Sequence, residues 1–314
     1  MILEDEVDSP EGLAAGGEYR SGFAALVGRP NVGKSTLLNA LIGQKLSIVT
    51  PRPQTTRHRI IGICNLPAAQ IAFVDTPGLH RGETRALNRA MNRTASSALE
   101  DADVCVLVVE ALRWGSEDQF VLQRIVKSGR PAIAVVNKVD GVRPKPRLLP
   151  YLAELAKRHE FVDIVPVSAL KGDNLEPLKQ AIARALPVAP AMFPPEEVTD
   201  RGEIFRIAET IREKLTLELN QEVPYGIAVE VERMAVEADE AGQIPVDAVI
   251  WVDREGQKPI VIGPKGERLK RVGRAARLEL NRALGKRLHL TLWVKVRENW
   301  ADNARQLKQL GLDS

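Results

Sequence analysis

Cysteine is scarce in this chain, with two in 314 residues. Cys64 and Cys105 each lie inside an apolar, strand-like run, with no CxxC spacing and no histidine beside them. That excludes a disulfide scaffold, argues against a zinc site and points to a reducing compartment. Aromatic residues are few as well: 4 Trp, 3 Tyr and 6 Phe. Long apolar runs are missing. The longest, Val104 to Val109, is far short of the roughly twenty residues that span a bilayer, so no transmembrane helix is expected. There is no internal repeat. Nor is there a large net charge of either sign, since 44 Lys and Arg stand against 41 Asp and Glu for a formal +3. What is present is ordinary globular composition, 44% hydrophobic and 27% charged, in a chain long enough for about two domains.

The near-neutral total conceals a split. Between Gly256 and Arg297 twelve Lys or Arg meet two acids, Glu267 and Glu279, for a local +10. Just upstream, residues 196–250 hold fourteen acids and five bases. A concentrated basic stretch is an electrostatic footprint for nucleic acid or another anionic surface.

Residues 1–20 read as a disordered acidic tail, without the basic start and apolar core of a signal peptide. From Gly22 onward, apolar runs (Phe23–Val27, Ile60–Cys64, Ile71–Val74, Val104–Val109, Ala132–Val136, Ile164–Val167) alternate with amphipathic helical segments such as Ala90–Leu99, Ser116–Ser128 and Leu148–Arg158. This alternation predicts an α/β domain over residues 21–187 with a mainly parallel sheet. Pro187, Pro190, Pro194 and Pro195 then interrupt any regular element, and residues 188–200 read as a linker. Over 201–300 the pattern is helix, two strands, loop, helix and strand, an α+β domain, and 301–314 closes with a short helix or tail.

Gly28-Arg29-Pro30-Asn31-Val32-Gly33-Lys34-Ser35 matches G-x-x-x-x-G-K-[ST] between an apolar strand and a helical run beginning near Thr36. In such a P-loop, backbone N–H groups curl around phosphate oxygens, Lys34 offers a cation and Ser35 a hydroxyl for Mg2+. Asp75-Thr76-Pro77-Gly78 leaves the next buried strand but one, placing a carboxylate near Mg2+ and the Gly78 N–H near a γ-phosphate. Asn137-Lys138-Val139-Asp140 closes the run Ala132–Val136. A carboxylate at Asp140 accepts hydrogens from guanine N1–H and the 2-amino group, which adenine cannot supply, so the motif selects GTP over ATP. Ser168-Ala169-Leu170 fits the turn that lines the base through its backbone.

In the second domain, Gly263-Pro264-Lys265-Gly266 is a G-x-x-G loop between an apolar run and a basic amphipathic helix. Leu269, Val272, Ala276 and Leu280 form its buried stripe, and Arg268, Arg271, Arg274 and Arg277 recur every three residues alongside. Such a loop lets a nucleic-acid backbone approach closely, as KH domains do. Gly263, Pro264, Lys265, Gly266, Arg268, Lys270, Arg271 and Arg274 are the candidate RNA contacts. With so few aromatics, an aliphatic groove and backbone contacts are the expected readout. Trp293 reads as core, and Trp300 is a candidate base-stacking residue.

The four nucleotide motifs, in this order and each after a strand, resemble the translation-factor-like GTPases. The resemblance implies a further Mg2+ and γ-phosphate ligand, a threonine between the P-loop and Asp75. Pro53-Gln54-Thr55-Thr56-Arg57 is the place for it, with Thr56 the choice and Thr55 the alternative. Lys34, Thr56 and Gly78 are then the catalytic candidates, and Ser35, Thr56 and Asp75 the metal ligands, for in-line attack of water on the γ-phosphoryl group. Many such GTPases carry a water-orienting glutamine after the D-x-x-G glycine. This chain has Leu79, so slow intrinsic turnover is expected. Asn31 resembles the P-loop asparagine that holds K+ in some relatives, which leaves K+ open as a further ligand. His58 and His80 read as solvated loop histidines.

The segments GRPNVGKST, PRPQTTRHRI, DTPGLH, NKVD, EVPYGIAVEVE, IVIGPKGERLK and LWVKVRENW together resemble the Era family, bacterial GTPases with a C-terminal type II KH domain, from about Gly22 to Leu312. The resemblance implies GTP and GDP as ligands with Mg2+. It also implies binding at the 3′ region of 16S ribosomal RNA, a role in 30S subunit assembly, a monomer, and a cytoplasmic location with some peripheral association at the inner membrane. The alternatives are a nucleotide-gated scaffold acting on another RNA and a related tRNA-modification GTPase. The acidic tail departs from the compact start of the family.

Overall fold

The computed structural model describes residues 18–79, 85–219 and 226–312. Of the acidic tail read over residues 1–20, residues 1–17 lie outside the described residues, as does His80, whereas Arg20 already belongs to the first strand, where it pairs in the sheet.

The first domain is built on a six-stranded sheet of order β2-β3-β1-β4-β5-β6. Its strands are β1 (Arg20–Val27), β2 (Ile60–Leu66), β3 (Ala69–Asp75), β4 (Val104–Glu110), β5 (Ala132–Asn137) and β6 (Asp163–Pro166). All neighbours are parallel except β2, which runs antiparallel to β3 at the edge. The unbroken apolar runs of β3, β4 and β5 follow from this: a strand covered on both faces has no polar side. On one face pack α1 (Lys34–Ile42) and α5 (Leu175–Ala185), through Leu37, Leu38, Leu41, Leu178 and Ile182. On the other lie α2 (Ala86–Asp101), α3 (Ser116–Ser128) and α4 (Leu148–Ala156), through Ala95, Leu99, Val121, Ile125 and Leu155. The loops at the carboxyl ends of β1, β3 and β5 therefore open on one crevice, where such sheets bind ligands.

The proline-rich segment after α5 is pinned along the β2–β3 edge. The Ile63 N–H donates to the Val198 carbonyl at 2.9 Å. The buried carboxamide of Gln70 accepts from Met192 N–H (2.7 Å) and Phe193 N–H (2.9 Å) and donates to the Phe193 carbonyl (2.8 Å). Prolines keep this stretch out of any helix or strand, and Gln70 and the sheet edge anchor it at Met192, Phe193 and Val198.

The second domain holds α6 (Glu203–Glu218), β7 (Ile227–Met234), β8 (Ile244–Val252), α7 (Lys258–Ile262), α8 (Glu267–Leu284) and β9 (Leu288–Val296). Strand β8 is central, antiparallel to β7 and parallel to β9. Helices α6 and α8 cover the sheet through Ile207, Ile211, Leu215, Val272, Ala276 and Leu280. The apolar run Ile260-Val261-Ile262 forms a short helix, α7, which its length alone does not distinguish from a strand.

Trp293, inside β9, and Trp300, beyond its end, reverse the expectation. Trp293 is 55% exposed, whereas Trp300 is wholly buried. Leu292 packs into the α6–α8 core, so by strand alternation Trp293 points to the opposite face. Trp300 packs with Leu87, Ala90 and Met91 of α2 and with Leu307 of α9 (Ala304–Gln309) at the junction of the domains. Its indole N–H donates to the Gly226 carbonyl at 3.2 Å. It is a joint between domains, not a surface for bases.

Candidate functional site

The P-loop turns because two of its residues adopt left-handed backbone: Asn31 at φ 63° and Gly33 at φ 99°. A Cβ on Gly33 would lie 2.4 Å from the Asn137 amide nitrogen, so only glycine allows the loop to close on the guanine-recognition motif. The Lys34 ammonium, buried, donates to the carbonyls of Gly28 (3.0 Å) and Arg29 (3.2 Å). Burial lowers its pKa to about 8, against the raising effect of Asp75. A poorly hydrated cation held by two carbonyls is poised for an anionic phosphate oxygen.

Ser35, Thr56 and Asp75 come together. Ser35 Oγ donates to Asp75 Oδ2 at 2.8 Å and stands 2.7 Å from Thr56 Oγ1. Ser47 Oγ, also buried, donates to the same carboxylate oxygen at 2.8 Å. Asp75 Oδ1 is buried without a partner, and burial raises the carboxyl's pKa. An orphaned carboxylate oxygen beside two hydroxyls fits a hard, oxygen-seeking cation such as Mg2+, which takes one or two carboxylates and completes its shell with water and phosphate. Thr55 is turned elsewhere: its hydroxyl donates to the Arg52 carbonyl at 2.7 Å and meets Thr50 Oγ1 at 2.6 Å. Gly78 lies against the P-loop, where a Cβ would come within 2.9 Å of Pro30 N. Leu79 is 1% exposed and packed into the core with α2 and α3, so it contributes nothing to the phosphate cavity.

The base pocket is a cavity of about 590 Å3 lined by Gly33, Thr36, Asn137, Lys138, Asp140, Ala169 and Leu170, among others. Asn137 fastens three loops: its Nδ2 donates to the Val32 carbonyl (2.9 Å), and its Oδ1 accepts from Lys138 N–H (2.8 Å) and Ala169 N–H (3.0 Å). Ser168 Oγ donates to Asp140 Oδ1 at 2.6 Å and orients that carboxylate. The Lys138 ammonium reaches the Asn31 carbonyl (2.7 Å) and Glu110 (3.1 Å). The Asn31 amide donates across to the Pro51 carbonyl at 3.2 Å.

Ser47 and Glu110 escape a reading of the sequence because a lone serine or glutamate carries no motif. His58 differs from expectation as well. Instead of standing in solvent, its Nδ1 lies 3.0 Å from the Gly311 carbonyl and its ring meets Phe205 edge-on at 5.2 Å. Burial pushes its pKa down to about 4.

On the second domain a groove of about 460 Å3 runs between α8 and β9. It is lined by Gly266, Leu269, Lys270, Gly273, Arg274, Arg277, Leu290 and Leu292. Gly263, Pro264, Lys265 and Gly266 form the loop at its mouth, with Lys265 at φ 49° and both Pro264 and Lys265 exposed. Two sequence candidates are engaged elsewhere. Arg268 bonds back to the Ile260 carbonyl, and Arg271 pairs with Glu218 of α6 at 2.9 Å. The cause is helical pitch: a three-residue step falls about 60° short of a full turn, so four arginines so spaced cannot share one face. Arg277, Leu290 and Leu292 take the places in the groove.

Comparison with known proteins agrees with this geometry. The family described as 50S ribosome-binding GTPase matches residues 23–138, and the KH domain family matches residues 222–301. GTPase Era of Marinobacter nauticus is 50% identical over 94% of this chain and 96% of its own length. GTPase Era of Xanthomonas axonopodis pv. citri is 48% identical over 94% and 98%. An Aquifex aeolicus Era variant bound to GDP and aluminium fluoride superposes with a TM-score of 0.90 at 40% identity, covering 94% of this chain and all of that one. Era in complex with MgGDPNP and nucleotides 1506–1542 of 16S ribosomal RNA gives the same values. At this identity and coverage, with P-loop, guanine pocket and basic KH groove in place, the chain belongs to the Era family of GTPases.

Proposed function

We propose that this protein is a GTP-controlled RNA-binding protein that grips the 3′ region of 16S ribosomal RNA in its KH groove and acts in assembly of the 30S subunit. The observation that carries the proposal is the chain of hydroxyls from Thr56 through Ser35 to the Asp75 carboxylate, in a protein that also holds a basic groove between α8 and β9. The first is the signature of a nucleotide switch; the second fits single-stranded RNA. The RNA in the matched complex belongs to the small subunit, which favours the 30S reading over one centred on the large subunit.

Ser35, Thr56 and Asp75 are the residues that would hold Mg2+, which when bound neutralises charge on the β- and γ-phosphates. Lys34 adds a second positive charge from the P-loop. Asn137 and Asp140 orient the base, and the Gly78 backbone closes against Pro30. With Leu79 buried, no carboxamide follows Gly78 to orient the attacking water, and slow intrinsic hydrolysis follows. Titrating 16S 3′-end RNA against the protein loaded with GDP or with a non-hydrolysable GTP analogue tests the coupling. Equal affinities in both states would sink it. Crosslinking and sequencing the RNA bound in cells separates 16S ribosomal RNA from other targets.

The same reading includes a monomer in the cytoplasm with peripheral association at the inner membrane. No helix among the described residues is long and apolar enough to cross a membrane. K+ at Asn31 is part of the proposal too, and turnover in KCl against NaCl tests it.

A further inference from the structure

Thr56 lies in the segment between α1 and β2, residues 43–59, which has no helix or strand of its own. That segment is held from the other domain: Arg57 donates to the Ile227 carbonyl at 2.6 Å, His58 meets the Gly311 carbonyl, and two adjacent residues of α6 grip the stretch before Thr56. Arg212 is 4% exposed; its guanidinium is fixed by a bidentate pair with Glu209 (2.7 and 2.6 Å), and its Nη2 donates to the Thr55 carbonyl. Glu213, also buried, accepts the Val49 N–H on Oε1 at 2.9 Å and meets Lys45 on Oε2 at 2.6 Å. Lys45 continues to Glu279 of α8 at 2.5 Å.

We infer that Arg212 and Glu213 are positioning residues of the GTPase reaction, holding the Thr56 segment in its phosphate-facing form from within the RNA-binding domain. The inference rests on the reading of Thr56 as a metal and γ-phosphate ligand and deepens the proposed coupling. The Thr55 carbonyl and the Thr56 N–H belong to one planar peptide unit, so a guanidinium that fixes the carbonyl also fixes the plane from which Thr56 departs. Glu209 removes the rotamer freedom of Arg212, and the planar arginine fork holds the carboxylate bidentately while donating to the carbonyl as well. Glu213 holds the other end of the segment, so the loop is gripped on both sides of the prolines Pro51 and Pro53. The helix that carries them is tied to the RNA groove's helix: α6 and α8 share a core, Arg271 of α8 pairs with Glu218 of α6, and Lys45, paired with Glu213, also pairs with Glu279 of α8. A shift of α8 on RNA binding is therefore felt at Thr56, and by linkage γ-phosphate binding is felt at α8.

The test uses the full-length protein. Arg212→Met is combined with Glu209→Met, so that neither charge is left buried alone. Beside it stand Glu213→Leu and Glu213→Gln; the latter keeps an acceptor for the Val49 N–H. Arg233→Met, which removes an exposed pair with Asp247, is the control. The double variant and Glu213→Leu are expected to lose about tenfold or more in kcat and in affinity for a GTP analogue, with GDP affinity within about twofold of wild type. Glu213→Gln is expected to recover most of the loss. A folded double variant with wild-type kcat and wild-type preference for GTP over GDP overturns the inference, as does a parallel loss of both nucleotides. If the double variant does not fold, Glu213→Leu decides: wild-type kcat there overturns it. Thr56→Val is run alongside. Unchanged hydrolysis in Thr56→Val defeats the reading of Thr56, whereas an inactive Thr56→Val with unaffected Arg212 and Glu213 variants defeats this inference alone.

Discussion

Ser35 Oγ and Thr56 Oγ1 stand 2.7 Å apart although 21 positions separate them in the chain, and the Ser35 hydroxyl passes on to Asp75 at 2.8 Å. The P-loop and the segment before β2 are thereby closed on one carboxylate. The hydroxyl of the adjacent Thr55 bonds within its own loop. Thr56→Val is expected to slow single-turnover GTP hydrolysis by about a hundredfold, the scale of losing one charge-stabilising ligand, and Thr55→Val by less than about threefold. Rapid-quench measurement of phosphate release separates the two, and the reverse order would move the ligand to Thr55.

On the proposed function, base selection is concentrated in Asp140, which Ser168 orients at 2.6 Å. Asp140→Asn replaces an acceptor facing guanine N1–H and 2-amino with a mixed donor and acceptor. Affinity for GTP is expected to fall about a thousandfold, the loss of two hydrogen bonds to a charged acceptor, and a xanthine nucleotide, with a carbonyl at C2, to bind better than GTP. Competition against a fluorescent guanine nucleotide reads this; unchanged GTP binding would mean the base is held elsewhere.

The arginines of α8 divide by what they touch. Arg274 lines the groove and Arg271 pairs with Glu218. Arg274→Ala is expected to weaken RNA binding and to reduce the slope of log affinity against log salt by about one. Arg271→Ala is expected to change affinity and slope less. Titrations at several KCl concentrations report both, and equal losses would place Arg271 on the RNA.

Acid should loosen the grip on the Thr56 segment. Burial works against the Glu209 charge, but Arg212 outweighs it and holds the carboxyl below its ordinary value of 4.5. A depressed carboxylate contributes stability above the unfolded value that is lost as pH falls through the folded one. The thermal midpoint of the wild type is therefore expected to drop below pH 4.5 more steeply than that of the Arg212→Met/Glu209→Met variant. Parallel curves would show that other carboxylates carry the acid sensitivity.

Much of the site was legible because its parts are local. A P-loop needs a strand, glycines at turning positions and a helix start, all within Phe23–Ile42, and Asp75, Asn137 and Ser168 each stand at the end of an apolar run. Less legible was anything that depends on a distant partner. Ser47 joins Asp75 only because the loop after α1 is folded back by Asn39, whose Oδ1 accepts from Leu46 and Ser47 N–H at 2.8 and 2.9 Å. Arg268 and Arg271 looked equivalent to Arg274 in sequence, yet the drift of a three-residue repeat around α8 sends them to different neighbours.

The sequence by itself determined two domains, a guanine nucleotide site and a basic G-x-x-G domain, since these follow from hydrophobic period, strand-end motifs and local charge. Only the tertiary structure decided which threonine meets Ser35, which tryptophan is buried, and that α6 holds the Thr56 segment. The physical reason is the same each time. Burial and pairing between segments are set by what packs across a junction, and Trp300 is core only because α2, more than two hundred residues earlier, lies against it.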